Sequence, residues 1–266
     1  MSDVGAPVGP AASGPTGSGP GRRPSIGMRA VGVVGEVMLT LGVLVALFVV
    51  WQLWWTDVVA GQQQEATVEQ FRASIGGATG RETQPDRSVA PENPTPSDQP
   101  PPAVTPPGAT DVFGIVYVPR WGEDYAVPVA EGVDVATVLN EGNIGHYPET
   151  AMPGGVGNFA TAAHRQSFGA AYRHVEELRP GDPIVVETAE GWFVYRVTED
   201  YIVTPDRVDV VAPVPGQPGV EPTRRLITLT TCHPLYSAAQ RWITHGELTE
   251  WYPRAGGAPA QLMEEP

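Results

Sequence analysis

The stretch Ile227-Thr228-Leu229-Thr230-Thr231-Cys232-His233-Pro234 decides how the rest of the chain is read. Its β-branched and apolar residues suit a pleated strand, and Pro234 cannot continue a central one. Cys232 is the only cysteine in 266 residues. It is expected at the end of a buried strand, where a side chain can face a cleft. Two other segments have a similar form. Thr161-Ala162-Ala163-His164-Arg165 ends an apolar run on a histidine, and Gln240-Arg241-Trp242-Ile243-Thr244 reads as the start of another strand. A useful thiol needs a base or cation nearby, and a carbonyl under attack needs a donor for its oxyanion. Cys232, His164 and Arg241, at three strand ends, are the residues that could supply those three roles.

Working outward, short strands dominate. Residues 113–119 and 125–129 read as two strands joined by a charged turn, and Val156 to Ala163 leads to His164. Residues 183–188 and 192–197 alternate around Glu190-Gly191, a hairpin signal, and the second strand continues through Tyr201-Ile202-Val203. Strands at 226–232 and 242–251 finish the series. Two short helices are expected, at 133–139 and, from the periodicity of AAYRHVEEL, at 170–178. Between the last hairpin and the Cys232 strand lies a long Pro-, Val- and Gly-rich loop, 204–224, of a length more often functional than not. Many short strands with little helix imply a mostly β domain over 110–254, closed as a barrel.

The N-terminal part is different. Residues 1–30 are rich in Gly, Pro, Ser and Ala, cannot bury enough apolar surface to fold, and read as disordered. The uncharged run within 31–55 is long enough to cross the ~30 Å hydrocarbon core as one transmembrane helix. It is too long for a cleaved signal peptide and lacks a small-residue cleavage site. Arg22, Arg23 and Arg29 precede the span, which places the N-terminus in the cytoplasm and the remainder outside the cell. Trp51, Trp54 and Trp55 suit the far interface. Val58, Val59, Ala66, Val68, Phe71 and Ile75 trace a weak helical stalk, and residues 77–109 turn into an extended Pro-rich spacer. Residues 255–266 read as a flexible tail.

A net charge of −14 argues against nucleic acid as a partner, since phosphate binding needs a basic surface. A lone cysteine leaves no intramolecular disulfide. No His or Cys spacing resembles a metal site, and no cofactor is implied.

The Thr-Leu-Thr-Thr-Cys run resembles the TLxTC signature of sortases, the cysteine transpeptidases of Gram-positive cell surfaces. Gly157-Asn158-Phe159 ahead of His164, and Arg241 at its distance from Cys232, match the other parts of that pattern. The likeness covers about 112–252 together with the membrane anchor. Thr-Cys-His-Pro and Gly145-His146-Tyr147-Pro148 resemble class E, the housekeeping type of many high-GC actinobacteria. Ala163 departs from the family, which usually has Gly before the histidine. The resemblance implies an eight-stranded β-barrel in which Cys232 attacks the threonine carbonyl of a sorting signal to form a thioester. His164 would act as acid and base for the leaving and incoming amines, and Arg241 would hold the oxyanion. Implied partners are surface proteins bearing a C-terminal sorting signal, of the form Leu-Ala-x-Thr-Gly in class E, and a peptidoglycan-precursor amine.

Other residues carry two readings each. Thr230 and Thr231 either touch substrate or simply suit a strand. Tyr147, in a loop before the His164 strand, either contacts substrate or packs. His233, next to the nucleophile, points to the opposite face of the strand and reads as structural. His146, His174 and His245 have no partner pattern. Two rival functions stand beside the sortase reading. An L,D-transpeptidase would show a Ser-His-Gly-x-Arg/Asn run next to its cysteine, which is missing. A non-catalytic anchored binding module would bury an inert Cys232.

Overall fold

The computed structural model describes residues 26–78 and 94–262. The first compact unit extends to Val50 and the second begins at Trp51. A single helix, α1, covers Ile26–Ala78. Within it, the 22 residues Ala30–Trp51 are apolar enough to cross a membrane. Of the residues 1–30 expected to be disordered, 26–30 instead form the first turn of α1; the rest of that expectation lies outside the described residues, as does the placing of the Trp54 and Trp55 side chains.

Eight strands follow: β1 (Val112–Tyr117), β2 (Ala126–Glu131), β3 (Ile144–His146), β4 (Gly157–Ala162), β5 (Pro183–Thr188), β6 (Gly191–Val203), β7 (Arg225–His233) and β8 (Gln240–Pro253). They close into a barrel in the order β1-β2-β3-β4-β7-β8-β6-β5. The fold is mostly β, as expected from the turn-punctuated apolar runs. β3 is the strand the sequence hid, because three residues leading into a Tyr-Pro turn carry no periodicity.

Pairing decides which strand ends meet. β4 runs parallel to β7, with Ala162 opposite Thr230, and β8 runs antiparallel to β7. Parallel neighbours place their C-terminal ends at one edge of the barrel. The residues just after β4, the end of β7 and the start of β8 therefore share that edge.

Period-two alternation sorts the side chains. Ile227 and Leu229 of β7 enter the main core with Phe159, Tyr172, Phe193 and Tyr195. Thr228, Thr230 and Cys232 face the opposite way, out of the barrel.

Three expectations need correcting. Residues 170–178 form no α-helix, only turns and a short 3-10 segment at Val175–Glu177. Tyr172 and Leu178 are pulled into the core instead, and tertiary burial overrides a weak local period. The described part of the Pro-rich spacer is not extended away from the domain. Ser97 N–H donates to Trp251 O at 2.9 Å, Trp251 Nε1 donates to Gln99 O at 2.6 Å, and Val104 is buried in the core. The tail, through Leu262, is also docked: Ala258 and Leu262 pack against the cluster that holds Trp192 and Tyr252, and Gln261 Nε2 donates to Glu250 Oε2 at 3.0 Å.

The stalk half of α1 packs as well. Val68 and Phe71 are buried with Ile115, Tyr117, Val185 and Trp192. Arg72 Nη2 donates to Tyr117 OH at 2.8 Å, and Tyr117 OH donates to Glu187 at 2.5 Å. That burial and the adjacent carboxylate push the Tyr117 hydroxyl pKa far up.

Candidate active site

Cys232 is the penultimate residue of β7 and half-buried. Directly opposite it on β8 stands Arg241. Opposed residues of an antiparallel pair put their side chains on the same face, with Cβ atoms roughly 5 Å apart. Arg241 Nη1 donates to Ala238 O and Gln240 O, each at 2.9 Å. This anchors the guanidinium to its own turn, and its other N–H groups have no partner among the described residues.

His164 follows β4 on the same face. Ala162 pairs with Thr230 in parallel register, so His164 and Cys232 each lie two positions beyond that pair. His164 Nε2 lies 2.9 Å from Asn140 Oδ1. An amide oxygen only accepts, so Nε2 carries the proton and Nδ1 is left to exchange one. Half-burial holds the imidazole pKa below its ordinary value. Phe168 covers the ring at 5.4 Å. It sits in a loop where Ser167, Phe168, Gly169 and Ala170 all take positive φ, a costly conformation for the three residues that carry a Cβ.

Tyr147 also comes to this face, with its hydroxyl 3.1 Å from Thr230 Oγ1. Thr230 spends its own proton on Thr161 O at 3.0 Å. Tyr147 is therefore the donor, and its oxygen lone pairs remain for an outside N–H.

Thr231 is elsewhere. It shares the barrel-interior face with Ile227 and Leu229, is 3% exposed, and donates to Ala163 O at 2.7 Å. Its hydroxyl ties β7 to the residue before His164. The Ala163 methyl, in place of the family's glycine, is taken up by the core.

Between β6 and β7 the long loop closes over the outer face. Val210 packs on Val203 and Ile243, and Asn158 Nδ2 donates to Ala212 O at 3.1 Å. Asn158 Oδ1 accepts from Thr228 at 2.7 Å, and Thr228 Oγ1 lies 2.8 Å from His245 Nδ1. His245 Nε2 completes the chain at 2.7 Å from Tyr201 OH. Burial lowers the His245 pKa to about 4.

The remaining histidines have partners too, contrary to the sequence reading. His146 bonds Glu131 at 2.7 Å and Thr150 at 2.9 Å, and His174 bonds Glu177 at 2.7 Å. His233 turns inward, where Arg165 Nη1 donates to its Nδ1 at 2.9 Å. Arg165 is itself 2% exposed and lies over Trp242. Three residues around the site escaped sequence reasoning: Asn140, Phe168 and Arg165. Asn140 lies in an Asn-Glu-Gly turn with nothing to mark it, whereas Arg165 was signalled by following His164 directly. No group of three or more potential metal ligands exists among the described residues.

The family model described as "Sortase domain" matches residues 116–249. Sortase SrtE1 of Streptomyces coelicolor is 37% identical over 248 residues, covering 91% of this chain and 64% of that protein. Sortase SrtE2 of the same organism is 33% identical over 245 residues and covers 85% of each. The chain thus spans just under two thirds of the first relative and most of the second. A crystal structure of Sortase E1 from S. coelicolor with a tripeptide in the active site superposes with a TM-score of 0.54 at 41% identity. That match covers 57% of this chain and 97% of the other.

Proposed function

The chain belongs to the sortase family, most like its class E, and from that premise we propose that it is a membrane-anchored cysteine transpeptidase acting on sorting signals. The observation that carries the reading is the meeting of three strand ends. His164 and Cys232 lie at equivalent positions past a parallel pair, and Arg241 is in register with Cys232 on one outer face.

In this reading Cys232 Sγ attacks the threonine carbonyl of the signal, and Arg241 donates to the oxygen that becomes negative. A guanidinium keeps its charge in a partly buried setting and offers a planar fork. His164 Nδ1 takes the thiol proton as Sγ attacks and gives it to the departing glycine amine as the thioester forms. It then takes a proton from the incoming cell-wall amine as that amine attacks the thioester, and returns it to the departing sulfur to restore the thiol. Thr231 serves as a strand-holding residue, and Thr230 and Tyr147 belong to the substrate side.

A signal of the form Leu-Ala-x-Thr-Gly fits Tyr147, whose oxygen retains lone pairs for the alanine N–H. Proline at that position has no such donor. The apolar Ala30–Trp51 helix is read as the anchor, with the N-terminus cytoplasmic and the barrel outside. No cofactor enters the mechanism.

The experiment is intact-protein mass spectrometry after incubation with a Leu-Ala-x-Thr-Gly peptide. The expected result is an adduct on Cys232 that ends at threonine, discharged by an added amine. Peptide cleavage with no adduct would overturn the thioester mechanism.

A further inference from the structure

The stalk half of α1 reaches the surroundings of His164 through two adjacent glutamines. Gln64 Nε2 donates to Gly142 O at 2.6 Å, and the adjacent Gln63 donates to Glu141 Oε2 at 2.5 Å. These acceptors directly follow Asn140, in a turn closed by Gly142 N–H to Leu139 O at 3.1 Å. Asn140 is the residue that holds His164 Nε2.

The same glutamine also lies against the loop on the other side of the histidine. A Cβ on Gly169 would stand 2.5 Å from Gln64 Nε2, and one on Gly142 would stand 3.2 Å from Gln64 Cγ. Both glycines have positive φ, +77° and +83° respectively, so neither site readily takes a side chain. Gly169 follows Phe168, whose ring covers His164. One carboxamide is therefore wedged between the two loops that touch the imidazole.

We propose that Gln64 is a positioning residue for His164, through which the juxtamembrane helix holds the Asn140 turn and the Phe168 loop in place. Asn140 Oδ1 fixes the imidazole by a single bond, and a turn displaced by 1 Å would break it. Misplacement on that scale costs about 10²-fold in rate when it reaches the chemistry. The Gln63 contact is exposed and contributes little by comparison. The Gln64 bond is half-buried and made to a backbone carbonyl, which cannot swing away.

The inference rests on His164 being the acid and base proposed above, but the clamp is a matter of geometry and is tested separately. The full-length chain in detergent micelles is compared with Gln64→Ala, Asn140→Ala and the double variant. Gln64→Met serves as a length-matched control lacking the donor. The first readout is an NMR titration of the His164 imidazole. Loss of an acceptor for Nε2–H disfavours the imidazolium, so each single variant moves the midpoint to lower pH. The double variant moves it no further than Asn140→Ala alone. The second readout is transpeptidation, where Gln64→Ala and Gln64→Met lower kcat several-fold with little change in KM.

A His164 midpoint unmoved by both Gln64 variants overturns the clamp. So does a Gln64→Ala shift that persists undiminished in the Asn140→Ala background. If the midpoints shift as expected but the wild-type chain forms no acyl-enzyme, the clamp stands and the transpeptidase reading fails.

Discussion

Cys232 and Arg241 are paired across β7 and β8, so the thiol and the guanidinium project from one face of the barrel. A flexible loop could bring two such groups together only some of the time. A ladder of backbone hydrogen bonds holds them in register whether or not a peptide is present. This is preorganisation of the kind that makes oxyanion donors effective.

The first prediction concerns these residues and their neighbour. Cys232→Ala abolishes turnover, because it removes the only thiol of the chain. His164→Ala costs about 10²–10⁴-fold, the usual worth of a placed acid–base group. Arg241→Lys also fails, since an ammonium cannot hold both its own turn and a substrate oxygen with the geometry of a fork. Hydroxylamine trapping checks all three. Wild type yields a threonine hydroxamate, and its appearance in Cys232→Ala would show that the acyl group is carried elsewhere.

Tyr147 sets the second. Its donation to Thr230 leaves an acceptor for a substrate N–H. Wild type is expected to process Leu-Ala-x-Thr-Gly faster than Leu-Pro-x-Thr-Gly, and Tyr147→Phe to narrow the ratio several-fold. A neutral hydrogen bond is worth about 1 kcal/mol. Ratios of kcat/KM for the two peptides measure it, and an unchanged ratio would return Tyr147 to packing.

A third follows from His245. Its folded pKa of about 4 lies below the ordinary histidine value of 6.5. Between those values the unfolded chain binds a proton that the folded chain refuses, so stability falls as pH falls. The contribution is complete above about pH 6.5 and is lost on approaching pH 4, on the order of 3 kcal/mol over the window. Melting temperatures of wild type and His245→Gln should therefore converge as pH drops from 7 to 4. A constant gap across that range would rule out His245 as the source.

The fourth is topological. Arg22, Arg23 and Arg29 precede the apolar helix. Protease added to wall-stripped intact cells should digest the chain beyond Trp55 and spare the N-terminal segment. A protected barrel would reverse the orientation and leave surface substrates out of reach.

Much of this protein was legible from residue order because its signals are local. A β-branched run stopped by proline marks β7, and a hairpin turn at Glu190-Gly191 marks β5 and β6. An uncharged run marks the membrane-compatible helix. Cys232, His164 and Arg241 were grouped as candidates for the same reason, since each closes or opens a strand. Local pattern misled at 170–178, where the apparent helix was undone by burial of Tyr172 and Leu178.

Only the tertiary structure decided what pairing across the barrel sets. The parallel alignment of β4 with β7 brings His164 level with Cys232, and nothing in either segment specifies that neighbour. Strand phase turned Thr230 toward Tyr147 and Thr231 toward Ala163, separating two residues that sequence alone treated alike. Asn140 and Gln64 reach the histidine's surroundings through contacts between segments far apart in the chain. Periodicity along a chain reports which face of an element is buried. Which element lies against it depends on the closure of the whole sheet.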